Sequence, residues 1–370
     1  MRIGNRGQVL LVFVAALLAL LGVAALGIDV GYLYTVRHEL QRSTDAGALA
    51  GASAFLSGKW TDGATRAVAD GRARAFAAKD KVAAAVLSAG SEVAVAFPAQ
   101  DRVRVDATRN VNLFFARIFI GPSKTVTAYS IAEASVVDTN VKGLKPWGIP
   151  FPWEDTNGND LFDPGETVHR DCPEGVPDPS RYFCPGTRVI LKIGTPKNSP
   201  KNPGGLPSLQ QESGHFFALA LDGTGGSLYR DSIVNGSNTP VTVGDAISLE
   251  PGNMVGPTRQ GTSDLINADP NSRWNDATDL PESNLFHSGD GSWMNSPRVI
   301  RIPIYDPETA LTNGRTDMVV AGFGGFWIES IDNHQATVIG RYIPMRAFGQ
   351  SGPAAGPTAG PVLKTLRLVE

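Results

Sequence analysis

The stretch VLLVFVAALLALLGVAALGI, Val9 to Ile28, decides how the rest of this chain is read. It is an uncharged apolar run of 20 residues, headed by Arg2 and Arg6 and ended by Asp29. About 20 apolar residues in a helix match the roughly 30 Å hydrocarbon core of a bilayer. Basic residues ahead of the run favour a cytoplasmic N-terminus, residues 1–8, and export of everything downstream. A cleaved secretory signal is the rival reading. Such signals have a shorter apolar region of about 7–15 residues, yet Ala25-Leu26-Gly27 is an acceptable small-x-small cleavage site.

Helical character continues past the run. No proline occurs between Asp29 and Phe55, and Leu33, Val36 and Leu40 carry on a helical stripe into an alanine-rich stretch. Two small-xxx-small pairs lie on this helix, Gly27 with Gly31 and Gly47 with Gly51. That spacing lets backbones approach closely. Gly47 and Gly51 read as packing on the chain's own domain. Gly27 and Gly31 read equally as packing on that domain or as a site of self-association or partner docking.

Thr61 or Asp62 can cap a second helix reaching Ser88–Gly90, with Trp60, Ala64, Val68, Ala75, Val82 and Val86 in its apolar stripe. Alternating Val93, Val95, Phe97 and Val103, Val105, Ala107 around the turn Pro98–Asp101 read as a hairpin. Asn110 then caps an expected short helix with Val111, Phe114, Phe115 and Ile118 facing inward, and a strand from Thr125 to Val137 follows. The expected fold class is α+β. A transmembrane helix (9–28) continues into a pilin-like helix-plus-antiparallel-sheet module (29–140). A mainly β domain with long loops (141–349) and a Gly/Pro-rich spacer with a terminal strand (350–370) complete the chain.

The run Gly27-Ile-Asp29-Val-Gly31-Tyr32-Leu-Tyr34, followed by Arg37-His-Glu-Leu40-Gln41-Arg-Ser-Thr-Asp45-Ala46-Gly47-Ala48-Leu49-Ala50, resembles the N-terminal module of the Tad (tight-adherence) Flp-pilus assembly proteins, the TadE/TadG-like group. Asp29, Gly31, Tyr34, Arg37, Leu40, Gln41 and Asp45 fall on that family's pattern, while Ser43 and Gly47 replace alanines. The resemblance reads on to about residue 140. It implies a bacterial, membrane-anchored component of a Tad-type pilus or secretion apparatus that binds and scaffolds other pilus-assembly proteins. Its bulk would be periplasmic or at the cell surface. Val12, five positions after Gly7, is not the glutamate expected of most type IV prepilins, which argues against processing there. On the residues themselves, Asp29 is expected where charge is cheaply hydrated at the membrane boundary. Arg37 and Asp45 share a helix face, each facing a partner, the sheet or solvent.

The segment Asp155-Thr-Asn157-Gly-Asn159-Asp160-Leu161-Phe-Asp163-Pro-Gly-Glu166 reads as a twelve-position calcium loop. Asp155, Asn157, Asn159, Asp163 and Glu166 would give side-chain oxygens and Leu161 its carbonyl, the set a hard cation needs. Asp160 stands where glycine is normal, and prolines after the loop leave no following helix. A polar Asx-rich turn that binds nothing is the alternative. The only two cysteines, Cys172 and Cys184, read as a disulfide outside the cytoplasm. On the chain-entropy account a loop of that size is stabilised by about 3 kcal/mol.

Beyond Pro185 the pattern reads as β throughout: Arg188–Ile193, Phe216–Leu221, Val241–Leu249, Val299–Ile304, Met318–Glu329 and Ala336–Tyr342, with long loops at 195–213 and 251–297 and an end strand at 362–369 that docks back on a sheet. Gly223, Gly225 and Gly226 read as a strand-to-strand turn. A net charge of −3, from 33 basic and 36 acidic residues, gives no basic field for nucleic acid. The sequence lacks His-Glu-x-x-His and Gly-x-Ser-x-Gly motifs, and Ser213 with His215 makes a triad only on paper. The chain is therefore expected not to be an enzyme. Trp147, Trp153, Trp274, Trp293 and Trp327 would line a sugar-binding face if this were a membrane-anchored surface adhesin or carbohydrate binder. Core packing is their duller use.

Overall fold

One helix, α1 (Arg6–Ala52), carries the apolar run and the motif that follows it without a break. In this computed structural model the described residues are 6–56, 60–159, 162–170, 172, 182–194, 216–289, 291–309, 317–332, 334–345 and 363–369. At 1.5 Å per residue α1 is about 70 Å long. Among the described residues it is the one helix long and apolar enough to cross a membrane. The chain divides into two units, Met1–Ala134 with Leu366–Glu370, and Ser135–Thr365. The break thus falls a few residues before position 140, and the last residues return to the first unit.

In the first unit, α2 (Gly63–Ala77) is capped by Asp62, whose carboxylate accepts hydrogen bonds from the Ala64 and Thr65 amides. A tight hairpin follows, β1 (Lys81–Val82) with β2 (Ala85–Val86). Next come β3 (Val93–Ala96), β4 (Arg102–Asn112), the four-residue helix α3 (Arg117–Ile120) and β5 (Ser123–Val136). The final strand, β14 (Lys364–Leu368), closes a sheet of order β14-β5-β4-β3. Period-two burial puts Val103, Val105 and Ala107 of β4 and Ala128, Ala132 and Ala134 of β5 on one face. That face packs in one core with Val36, Leu40, Ala48 and Ala52 of α1.

Two sequence expectations fail in this unit. The second helix stops at Ala77 rather than near Ser88–Gly90, because Ala83 and Ala84 take positive φ in the tight hairpin. The Glu39 carboxylate accepts the Ala83 amide, and Arg109 donates to the Val82 and Val86 carbonyls, so tertiary clamps override helical periodicity. The short helix does not follow Asn110, which lies inside β4. Val111 is buried on that strand, but Phe114, Phe115 and Ile118 are exposed rather than inward.

In the second unit, β6 (Ile149–Pro150) and β7 (Arg188–Lys192) precede α4 (Gly226–Asn235). Then come β8 (Ala246–Ile247), α5 (Val255–Ala268), and the pair β9 (Arg273–Asn275) with β10 (Leu280–Glu282). The strands β11 (Val299–Tyr305), β12 (Met318–Ile331) and β13 (Val338–Tyr342) complete a sheet of order β6-β11-β12-β13-β7, with β8 on the end of β12. The region is mainly β, but not β throughout. Gly225 caps α4 rather than turning between strands, and α5 occupies part of the expected loop 251–297. Phe216–Leu221 and most of Val241–Leu249 form only isolated bridges. Tyr229 and Ile233 of α4 and Leu265 of α5 pack with Trp147, Ile300 and Ile302, so the two helices complete the sheet's core. The expected loop 195–213 and spacer 350–362 lie outside the described residues.

The two glycine pairs of α1 differ sharply. A Cβ on Gly47 would stand 2.9 Å from both the Ala73 carbonyl oxygen and the Ala77 Cβ, and one on Gly51 would meet Val103 and Ala73. At Gly27 and Gly31 nothing lies within 4 Å. Gly47→Val should therefore cost the first unit about 1–3 kcal/mol by overpacking. Gly27→Val should stay within about 0.5 kcal/mol. Thermal denaturation of the full chain in detergent measures the contrast.

Candidate functional site

The motif positions of α1 separate into residues that clasp the sheet and residues that face nothing. Asp29, the first residue past the apolar run, is only 1% exposed. Its carboxylate accepts from the amides of Phe114 at 2.7 Å, Phe115 at 2.8 Å and Ala116. It is therefore not the cheaply hydrated boundary charge expected from position alone, but a tether for the loop between β4 and β5. Burial opposes ionisation, yet the three converging N–H groups outweigh it and hold the carboxyl below its usual range. One turn on, the Tyr32 ring meets the Phe114 ring at 5.2 Å.

Two turns further along α1, Gln41 Nε2 donates to Asp45 Oδ1 at 3.0 Å, to the Tyr129 carbonyl at 3.1 Å and to Ser130 Oγ at 2.8 Å. Ser130 Oγ also donates to Asp45 Oδ1 and lies 2.8 Å from Thr44 Oγ1. Ser130 is fully buried in the middle of β5, so this cluster satisfies a hydroxyl that would otherwise be stranded. Leu40 fills the core beside it. On the adjoining face Ser43 donates to the Ala77 carbonyl at 3.0 Å. Ser43, Gly47 and Gly51 thereby form a small-residue seam against Ala77, Ala73 and Ala69 of α2. Ser43 and Gly47, where the chain departs from the family's alanines, both sit in this seam.

Gly31, Tyr34 and Arg37 remain outside the clasp. Tyr34 is 64% exposed and its ring meets only that of His38, edge-on at 4.7 Å, among the described ring contacts. Arg37 is exposed and has no described ion pair. Arg37 and Asp45 thus do different work despite sharing a face: Asp45 bonds to the sheet and Arg37 does not. Arg37 stands at the rim of a cleft lined also by Gln41, Thr127, Tyr129 and Arg104, whose guanidinium pairs with Asp106 and lies 4.3 Å from the Tyr129 ring centroid.

In the second unit the loop expected to hold calcium is closed at its base by a bridge between Trp153 and Val168. Asn157 Nδ2 and Asn159 Nδ2 both donate to Asp163 Oδ2, at 2.6 and 2.8 Å. Asp155 Oδ1 accepts the Gly158 amide, and Glu166 accepts the Thr156 and Asp163 amides, one on each oxygen. Asn157, Asn159 and Asp163 therefore converge, while Asp155 and Glu166 serve the loop's backbone. Asp160 and Leu161 lie outside the described residues. Among the described residues no three His, Cys, Asp or Glu side chains gather as a ready-made metal site. Cys172 and Cys184 form the expected disulfide. Of the five tryptophans offered as a sugar platform, Trp147, Trp153, Trp293 and Trp327 are buried. Ser213 and His215 lie outside the described residues.

These features define an α+β protein whose N-terminal helix is half uncovered and apolar, half locked onto a small antiparallel sheet. Residues 7–54 match the family described as putative Flp pilus-assembly TadE/G-like, which supports a role in pilus assembly. The match ends with α1; the sheet lies beyond it. No curated protein matches the chain. No solved structure matches it either.

Asp29→Ala should free the 114–116 amides, and their hydrogen exchange should accelerate roughly tenfold or more. Asp29→Asn, with one accepting oxygen, should fall between. The native contribution is present above the ordinary carboxylate pKa of about 4 and is lost as pH falls through the lower folded value. Amide exchange at neutral and acid pH reads both effects.

Proposed function

We propose that this protein is a membrane-anchored scaffolding component of a Tad-type (Flp) pilus or secretion apparatus. Residues 9–28 span the membrane, residues 1–8 are cytoplasmic, and both folded units are extracytoplasmic. The observation that carries the reading is the division of α1. Its second half is clasped by the chain's own α2 and sheet. Its first half exposes Leu10, Leu11, Val12, Phe13 and Leu18 at 63–73% relative accessibility, a surface that water would not tolerate over such a length. Beyond the apolar run, Gly27, Gly31, Tyr34 and His38 form an uncovered stripe with the small-residue spacing that admits a neighbouring helix. This stripe is the proposed docking site for another pilus-assembly protein or a second copy of the chain. The glycan-binding alternative loses most of its aromatic platform to the core.

Membranes from cells making the full chain with Gly31→Cys test this, with Gln100→Cys in the β3–β4 turn as control. With both native cysteines in a disulfide, the introduced thiol is the only described one. The protein should resist alkaline extraction, and a photoreactive maleimide attached to the introduced thiol should, on illumination, trap a cross-linked product at position 31 but not at 100. A product of twice the chain's mass identifies self-association, and a different mass identifies a partner. Extraction as a soluble species beginning near residue 28 overturns the anchor. Absence of any product at 31 overturns the docking stripe.

We further propose that loop 155–166 takes a structural calcium ion. Asp163 already faces Asn157 and Asn159, and turning their amides would replace two nitrogens by oxygens around one point. Asp155, Glu166 and the Leu161 carbonyl would supply the remaining ligands. Calcium should raise the melting temperature of the full chain and chelator should lower it, with neither effect in Asp163→Ala. An equal shift in wild type and variant, or none in either, sinks the assignment.

A further inference from the structure

The loop joining β4 to β5 displays apolar side chains that the chain's own fold leaves uncovered. Phe114 is 57% exposed, Phe115 45%, Ile118 80% and Ile120 67%. Large apolar groups gathered on one short loop are unusual on a soluble surface unless something covers them. The backbone of the loop is not loosely placed. Its amides at 114–116 are fastened to Asp29, and the Leu113 amide donates to the Pro122 carbonyl at 3.0 Å, closing the loop at its neck.

The point of fastening decides what covers it. Asp29 is the residue immediately after the apolar run, so the loop lies beside α1 within about one 5.4 Å turn of that run's end. A bilayer has about 30 Å of hydrocarbon and about 40–45 Å in all, leaving several ångströms of headgroup region on each side. A loop held at this level reaches the zone where amphipathic elements bury apolar side chains by about 5–10 Å. Its chemistry suits that depth. Aromatic rings favour the membrane–water boundary, and Tyr32 and Tyr34 on α1 occupy the same level. Exposed Arg117 and Lys124 flank the apolar groups and suit anionic headgroups.

We infer that the β4–β5 loop is a second membrane contact. Phe114, Phe115, Ile118 and Ile120 dip into the leaflet next to the end of the span, and Asp29 fixes the loop at that depth. This rests on the reading of residues 9–28 as a membrane span. With two points of contact, the first unit would be held at a set angle to the membrane rather than swivelling on a single helix.

The test is spin-label depth measurement on the full chain reconstituted in phosphatidylcholine vesicles containing phosphatidylglycerol. Single nitroxides are placed at Ile118→Cys, Ile120→Cys, Leu18→Cys and Gln100→Cys. The first two sites are exposed, so the label displaces no packed side chain, and circular dichroism confirms the fold of each variant. At Leu18, Ile118 and Ile120, collision with oxygen should exceed collision with a water-soluble nickel chelate, and at Gln100 the order should invert. Leu18 in lipid with Ile118 and Ile120 as water-accessible as Gln100 overturns the second contact while leaving the span. Leu18 accessible to the nickel chelate overturns the span itself. Dipolar broadening between labels at Ile118, with no oxygen excess, assigns the patch to a second copy of the chain and overturns the lipid reading.

Discussion

The clasp between the second half of α1 and the sheet is the constraint on which the first unit depends. It combines three contacts of different chemistry along one helix. Asp29 gathers three loop amides, the Gln41–Asp45 pair satisfies the buried Ser130 hydroxyl, and the Ser43–Gly47–Gly51 seam admits α2 at close range. Polar contacts of this kind add direction to a hydrophobic contact that is itself non-directional. Val36, Leu40, Ala48 and Ala52 provide the burial, and the polar contacts fix the rotation and register of the helix.

This arrangement gives the Tad motif a physical meaning. Several of its positions hold the helix to its own domain, and only Gly31, Tyr34 and Arg37 are left for anything else. A helix locked onto a folded unit fixes the direction in which its apolar half leaves that unit, which a flexible tether would not. Strand β14 adds to it by pairing with β5 at the edge of the same sheet. Arg367 on this strand pairs with Glu133 of β5, which also pairs with Arg102 of β4.

Much was legible beforehand where one physical rule dominated. An uncharged apolar run of 20 residues reads as a potential span without any structure. Alternation of Val103, Val105 and Ala107 in β4 revealed the inner face of the sheet, and two cysteines with no other partner identified their bond. The rule failed where tertiary contacts outweighed local pattern. The stripe of the second helix was carried too far because Glu39 and Arg109, distant in sequence, stabilise a hairpin in its place. Helix α5 was missed because its buried face is Thr258, Gly261, Thr262 and Leu265. Its spacing is helical, but its residues are small and polar, so hydrophobicity does not register it. Gly261 is needed there for the close approach of Ile233 on α4.

The order of residues by itself determined the long helix, its apolar half, the α+β class, the disulfide and the kinship of the first segment, because each follows from local periodicity, composition or spacing. Only the tertiary structure decided what Asp29 does and which way Phe114, Phe115 and Ile118 face. Asp29 and its three amide donors stand about 85 positions apart in the chain. No local pattern reports a partner so distant; folding brings a buried carboxylate and unpaired N–H groups together because neither is stable in an apolar setting without the other.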